Sequence, residues 1–99
     1  MNKRVLKVQK AFLREIEKYE EIVKQRDTDI DWERVHMASC GRIGYLMAEK
    51  RGVDPELAAI ACSVHDYGRI VTGINKSHAE AGYLPIKEFL KGLNMLTND

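Results

Sequence analysis

Residues 55–66 have the sequence PELAAIACSVHD, an apolar segment that ends in an adjacent histidine and aspartate. Pro55 follows Asp54, and a proline at the first helical position after an acidic N-cap is a common way for a helix to begin. The next apolar residues recur at helical spacing, namely Leu57, Ile60, Ala61 and Val64. This segment predicts an apolar helix over about residues 56–66, with His65 on its buried face.

Two further helices are predicted before this one. The first spans about residues 3–25 and is amphipathic, with its apolar positions at Val5, Val8, Phe12, Ile16, Tyr19 and Val23. The second spans about residues 31–50, is capped by an aspartate of residues 27–31, and stops at Gly52. One face of it is expected to point inward, carrying Trp32, His36, Cys40, Ile43 and Met47.

The segment after Asp66 is predicted to be irregular. Residues 67–69 are expected to end the third helix, with Gly68 in the left-handed conformation, and residues 70–77 to form a loop. A fourth helix, capped by Asn75 or Ser77, then runs to Gly92. Its apolar side comprises Ala81, Gly82, Ile86, Phe89 and Leu90, and its internal Pro85 predicts a kink at residues 81–84.

The fold class follows from this pattern. There is no strand-like alternation, so we expect an all-α bundle of about four main helices. The chain has 99 residues, of which 44% are hydrophobic and 31% are charged, and this size suits one domain over residues 1–99. Residues 1–26 would form its N-terminal helix, and residues 31–92 would form the helices around the candidate site.

Composition excludes several classes of protein. The formal net charge is +1, and the basic residues of the first ten positions are interpreted as a solvated helix surface, so we expect no strong binding to nucleic acid. No apolar run approaches the ~20 residues of a spanning helix, and no signal peptide is recognisable, so we expect no membrane partner and a cytoplasmic location. Cys40 and Cys62 are interpreted as small buried hydrophobes.

The acidic run that precedes the second helix partly resembles the start of a calcium-binding loop. Asp27, Asp29 and Asp31 alternate as at the start of an EF-hand loop. Such a loop needs glycine where this chain has Trp32 and glutamate where it has Ala38. Helix capping is therefore the favoured interpretation of this run.

The two inward histidines and Asp66 indicate a metal site. Buried imidazole and carboxylate groups are costly without a partner, and a shared cation satisfies them together. A mixed nitrogen and oxygen donor set suits Mn, Fe, Co, Ni, Mg or Zn, and these alternatives stay open. The expected cofactor is one such divalent metal ion.

The order of these residues resembles the HD-domain superfamily of metal-dependent phosphohydrolases. The resemblance covers about residues 31–92 and is carried by His36, by VHDYGR at residues 64–69, and by SHAEAG at residues 77–82. It implies a helical bundle in which His36, His65 and Asp66 bind a divalent cation. In members with two metals, a histidine placed like His78 joins the second ion. From its own chemistry His78 could also protonate a leaving group, or it could simply cap its helix.

The resemblance further implies hydrolysis of a nucleotide or another phosphate ester. Asp66 would orient the attacking water, and Arg69 and Lys76 are candidate phosphate contacts. A non-catalytic metal-binding module that serves in regulation or interaction is the alternative.

One departure from the family pattern concerns the last metal ligand. In the family this aspartate lies on a helix beyond the position of Asp99, so we expect a truncated domain. Without the later helices, Ile43, Met47, Ile86 and Phe89 would be exposed. A second copy of the chain is expected to cover them, giving a homo-oligomer.

Overall fold

A computed structural model of the chain describes residues 3–74 and 78–93, and all regular structure in these ranges is helical. The predicted all-α fold is thus confirmed. The helices are α1 (Lys3–Ile22), α2 (Ile30–Arg51), α3 (Pro55–Val64), α4 (Tyr67–Thr72) and α5 (His78–Gly92). Within these ranges no helix combines the length and the apolar character that crossing a membrane requires.

The bounds of α2 and the start of α3 lie within one residue of where the sequence predicted them, whereas α1 ends at Ile22, three residues before the predicted end. Asp29 caps α2 by accepting a hydrogen bond from the Asp31 amide, and Asp54 caps α3 by accepting from the first-turn amides. Gly52 ends α2 in the left-handed conformation, at φ 73°. These boundaries depend on local chemistry, so a single sequence is enough to predict them.

The segment after Asp66 differs from the prediction. The chain turns at His65 and Asp66 and then forms the short helix α4, in which Gly68 is buried and helical. The left-handed residue is Gly73, at φ 75°. Burial of Tyr67 and Ile70 against Phe12 stabilises this helix, although six residues are too few to show a period. Asn75, Lys76 and Ser77 lie outside the described residues.

The core lies between α1 and the helices that follow Asp54. The predicted apolar face of α1 is confirmed, because Val5, Val8, Phe12 and Ile16 are at most 1% exposed. Ile86 and Phe89 of α5 pack half-buried against the core, so the expectation that they are exposed was wrong. Pro85 lies inside α5 as expected, whereas the kink at residues 81–84 stays a prediction.

Helix α2 packs on a different face from the one predicted. Its buried residues are Glu33, Met37, Gly41 and Ala48. The predicted inner face lies largely at the surface, where Trp32 is 45% exposed and Ile43 is 54% exposed. The exposure expected for Ile43 and Met47 in the absence of further helices is therefore observed. Whether a second copy covers them stays a prediction.

Two glycines explain why α2 packs on this face and not on the predicted one. A Cβ atom on Gly41 would lie 2.5 Å from the Ser63 hydroxyl of α3, and one on Gly44 would lie 2.6 Å from the Cys62 sulfur. The two helices therefore approach each other closely along a row of small residues. Large apolar side chains of α2 do not fit into this contact, so they lie beside it.

Candidate metal centre

Three side chains that the sequence singled out converge at one point of the surface. His36 comes from α2, and His65 and Asp66 come from the turn between α3 and α4. Nε2 of His36 lies 3.2 Å from Oδ2 of Asp66, and Nε2 of His65 lies 3.2 Å from Oδ1. Two imidazole nitrogens thus face the two oxygens of one carboxylate, an arrangement that can hold a divalent cation.

His65 is oriented by the end of α3. Its Nδ1–H donates a hydrogen bond to the Cys62 carbonyl, at 2.6 Å, which leaves Nε2 as the nitrogen directed at Asp66. Such a bond fixes the ring orientation of a metal-binding histidine. The side chain is 44% exposed, so the predicted burial of His65 was wrong. The buried side of α3 consists of Ala59, Ile60, Ser63 and Val64, while Ala61, one turn before His65, is exposed.

Asp66 is buried, and its carboxylate contacts Arg69, which in turn pairs with Glu33. Nη1 of Arg69 lies 3.4 Å from Asp66 Oδ2 and 3.0 Å from Glu33 Oε2. Glu33 is only 3% exposed. Burial raises the pKa of its carboxyl, and the hydrogen bond from Arg69 acts in the opposite direction. Glu33 could not be singled out from the sequence, because no motif distinguishes it from Glu49, the exposed glutamate of the same helix.

Trp32 covers the histidine of α2. Its indole stacks on the His36 ring with centroids 4.2 Å apart and an interplanar angle of 17°, and the Arg69 guanidinium lies 5.6 Å from the indole centroid. Burial lowers the pKa of His36, although the charge of Asp66 partly offsets this effect. A lowered pKa favours the neutral imidazole, which is the form that binds metal.

Cys40 is a further member of the cluster. It is half-buried, so its interpretation as a small buried hydrophobe was wrong. Its sulfur lies 3.4 Å from Nε2 and 3.6 Å from Nδ1 of His36. His36, Cys40 and His65 offer ligand atoms that all lie within 4.8 Å of one another. The missed signal was the spacing of four residues between His36 and Cys40, which places both on one side of a helix. Burial raises the pKa of the Cys40 thiol.

The roles predicted for the other candidate residues, Arg69, His78 and Lys76, stay untested. The Arg69 side chain is 13% exposed and faces Glu33 and Asp66, so its predicted phosphate contact stays a prediction. His78 is the first residue of α5, but its side chain lies outside the described residues, as does all of Lys76. The roles proposed for these two residues also stay predictions.

An apolar groove of about 370 Å³ opens beside the cluster, between α2 and α3. Its walls include His65, Cys40, Met47 and Cys62. The cluster is therefore reachable from solvent on the side of α2 that the sequence had predicted to be buried.

Comparison with protein families agrees with the geometry. The model of the HD domain matches residues 34–96, a range that contains every member of the cluster except Trp32 and Glu33. No curated protein and no solved structure matches the chain.

Proposed function

Because the chain belongs to the HD-domain family, we propose that it is a metal-dependent phosphohydrolase that acts on a nucleotide or another phosphate ester. The observation that carries this proposal is the approach of His36 and His65 to the two oxygens of Asp66, at 3.2 Å each. These residues would hold the divalent cation. The small phosphorylated substrate would bind at the exposed side of the cluster, where His65 reaches solvent.

The cation, when bound, supplies polarisation of a phosphoryl oxygen and lowers the pKa of a water molecule. The chain supplies the positioning. Arg69 and Glu33 fix the Asp66 carboxylate, and the Cys62 carbonyl fixes the His65 ring. Asp66, which has two oxygens at the site, is also suited to orient the attacking water. Trp32 limits the freedom of the His36 ring by stacking.

Metal analysis of the purified protein tests the site. We expect about one divalent metal per chain in the wild type and almost none in His65→Ala or Asp66→Ala. Glu49→Ala, which changes an exposed glutamate of α2, is the matched control and should keep the metal. Equal metal content in all four proteins would refute the proposed ligands.

Turnover tests the reaction. Hydrolysis of a generic phosphate ester should appear with added Mn²⁺, Co²⁺ or Ni²⁺ and disappear with a chelator, and the Asp66→Ala variant should be inactive. A protein that binds metal but hydrolyses no member of a broad nucleotide panel would contradict the enzymatic assignment. That result would favour the non-catalytic regulatory or interaction module instead.

A further inference from the structure

The Cys40 sulfur lies 3.4 Å from His36 Nε2, close enough for both atoms to bind one metal ion. We propose that Cys40 is a ligand, so that the centre has the donor set His36, Cys40, His65 and Asp66. This inference rests on the metal site proposed above. It goes further by naming a sulfur ligand and the class of metal that such a ligand selects.

The spacing of the donor atoms supports this set. In a tetrahedral zinc site, metal–ligand bonds of about 2.0–2.1 Å to nitrogen or oxygen and about 2.3 Å to sulfur place nitrogen and oxygen roughly 3.3 Å apart, and nitrogen and sulfur roughly 3.6 Å apart. The distances here are 3.2 Å from each histidine Nε2 to Asp66, and 3.4 Å from His36 Nε2 to the Cys40 sulfur. His36, Cys40 and His65 offer ligand atoms within 4.8 Å of one another, and each histidine Nε2 also faces one oxygen of Asp66, so a cation between the two histidines would have both the sulfur and the carboxylate as neighbours.

The helix framework holds the sulfur in place. Cys40 and His36 project from successive turns of α2, and Gly41 and Gly44, which flank the next turn, keep α2 in close contact with α3. Since α3 leads directly into His65 and Asp66, the contact fixes the distance between the two halves of the donor set. Cys40 lines the groove between α2 and α3, and its sulfur lies 3.4 Å from His36 Nε2.

A sulfur ligand changes which metals the centre prefers. Thiolate favours zinc and cobalt, whereas magnesium and manganese favour oxygen donors. Binding would release the thiol proton to the buffer as the sulfur–metal bond forms, with no change of oxidation state. Four protein ligands would fill a tetrahedral zinc centre, so water or substrate would have to enter as a fifth ligand, a coordination number that zinc reaches in some catalytic sites.

Cobalt spectroscopy tests the proposal, since Co²⁺ bound to thiolate gives an intense charge-transfer band in the near ultraviolet. The wild-type protein, kept reduced and titrated with Co²⁺, should show this band. Cys40→Ser should lose the band and bind Zn²⁺ at least ~10-fold more weakly, the lower bound for losing even an indirect metal partner. Cys62→Ser is the matched control, because Cys62 lines the same groove, and it should retain the band.

Cys40→Asp provides a second variant. It should bind Co²⁺ through oxygen without the band, and it should shift preference from Zn²⁺ toward Mn²⁺. Circular dichroism of each variant verifies the fold. Co²⁺ binding without a charge-transfer band in the wild type, or a band lost only in Cys62→Ser, would overturn the role of Cys40 and leave the proposed function standing. Failure of the wild type to bind Co²⁺ at all would refute both.

Discussion

The more apolar face of α2 is the exposed one, and the face with fewer large apolar residues is buried. The face that packs against the rest of the protein contains a glutamate, two small residues and Met37. The neighbouring face contains Trp32, Ile43 and Met47 and is largely exposed, with His36 and Cys40 half-buried at its edge. Close helix contact, and not hydrophobicity, therefore selected the packing face of α2. The same packing leaves the candidate metal ligands His36 and Cys40 accessible to solvent.

The largest effect should come from the buried glutamate. Glu33→Ala leaves the Arg69 charge buried with only part of its charge compensation, and such a loss typically costs about 3–5 kcal/mol of unfolding free energy. We expect a value near the lower end, because Asp66 also lies 3.4 Å from Arg69. Chemical denaturation measures the loss. The exposed Glu49→Ala should change stability by less than ~0.5 kcal/mol, and similar losses in both variants would contradict the assignment of the packing face.

The apolar residues of the two faces should respond unequally. Met37→Ala removes a side chain that is 4% exposed and contacts the core, and it should lower the unfolding free energy by about 2–3 kcal/mol. Ile43→Ala, on the exposed face, should change it by less than ~0.5 kcal/mol. Denaturation of both variants under identical conditions provides the comparison. A larger loss for Ile43→Ala than for Met37→Ala would indicate that α2 buries the face predicted from the sequence.

A smaller loss is expected where the helices touch. Gly44→Ala places a Cβ atom 3.1 Å from the Ala58 carbonyl as well as against Cys62. Overpacking costs about 1–3 kcal/mol and the better helix propensity returns ~1 kcal/mol, so the net loss should be about 1 kcal/mol. Gly92→Ala is the control, because a Cβ there meets nothing within 4 Å. Stability should then be unchanged or increased, and equal losses in both variants would argue against a close contact.

The smallest effect concerns pH, because His36 is still 25% exposed and burial acts on it only in part. Its pKa in the folded protein is lowered from the ordinary value of 6.5, so the unfolded chain takes up this proton first as the pH falls. Stability from this group is complete above the unfolded pKa and is lost as the pH falls toward the folded pKa. Without metal, the wild type should lose more stability than His36→Gln between about pH 7.5 and about pH 5.5. Parallel pH profiles would contradict this.

The sequence predicted those parts of the fold that depend on local chemistry. The caps at Asp29 and Asp54, the stop at Gly52 and the apolar face of α1 required only neighbouring residues. The grouping of His36, His65 and Asp66 followed from the cost of burying such groups without a partner and from resemblance to a family, and the structure brings these residues together. The buried face of α2 could not be predicted, since it depends on how closely α3 approaches Gly41 and Gly44. Glu33 was missed for the same reason, because its partner Arg69 is distant in sequence. Cys40 differs, since its spacing of four residues from His36 is visible in the sequence.

One guanidinium group links two helix ends that are far apart in the chain. Arg26 donates to the Tyr19 carbonyl in the last turn of α1 and to the Arg69 carbonyl within α4, and the Asp27 amide donates to the Gly73 carbonyl beside them. Neither helix end can therefore fray without disturbing the other. The last turn of α1 and all of α4 should form one cooperative unit in hydrogen exchange, with amides that open together. Since α4 begins directly after Asp66, opening of this unit would also displace the Asp66 carboxylate from the two histidines.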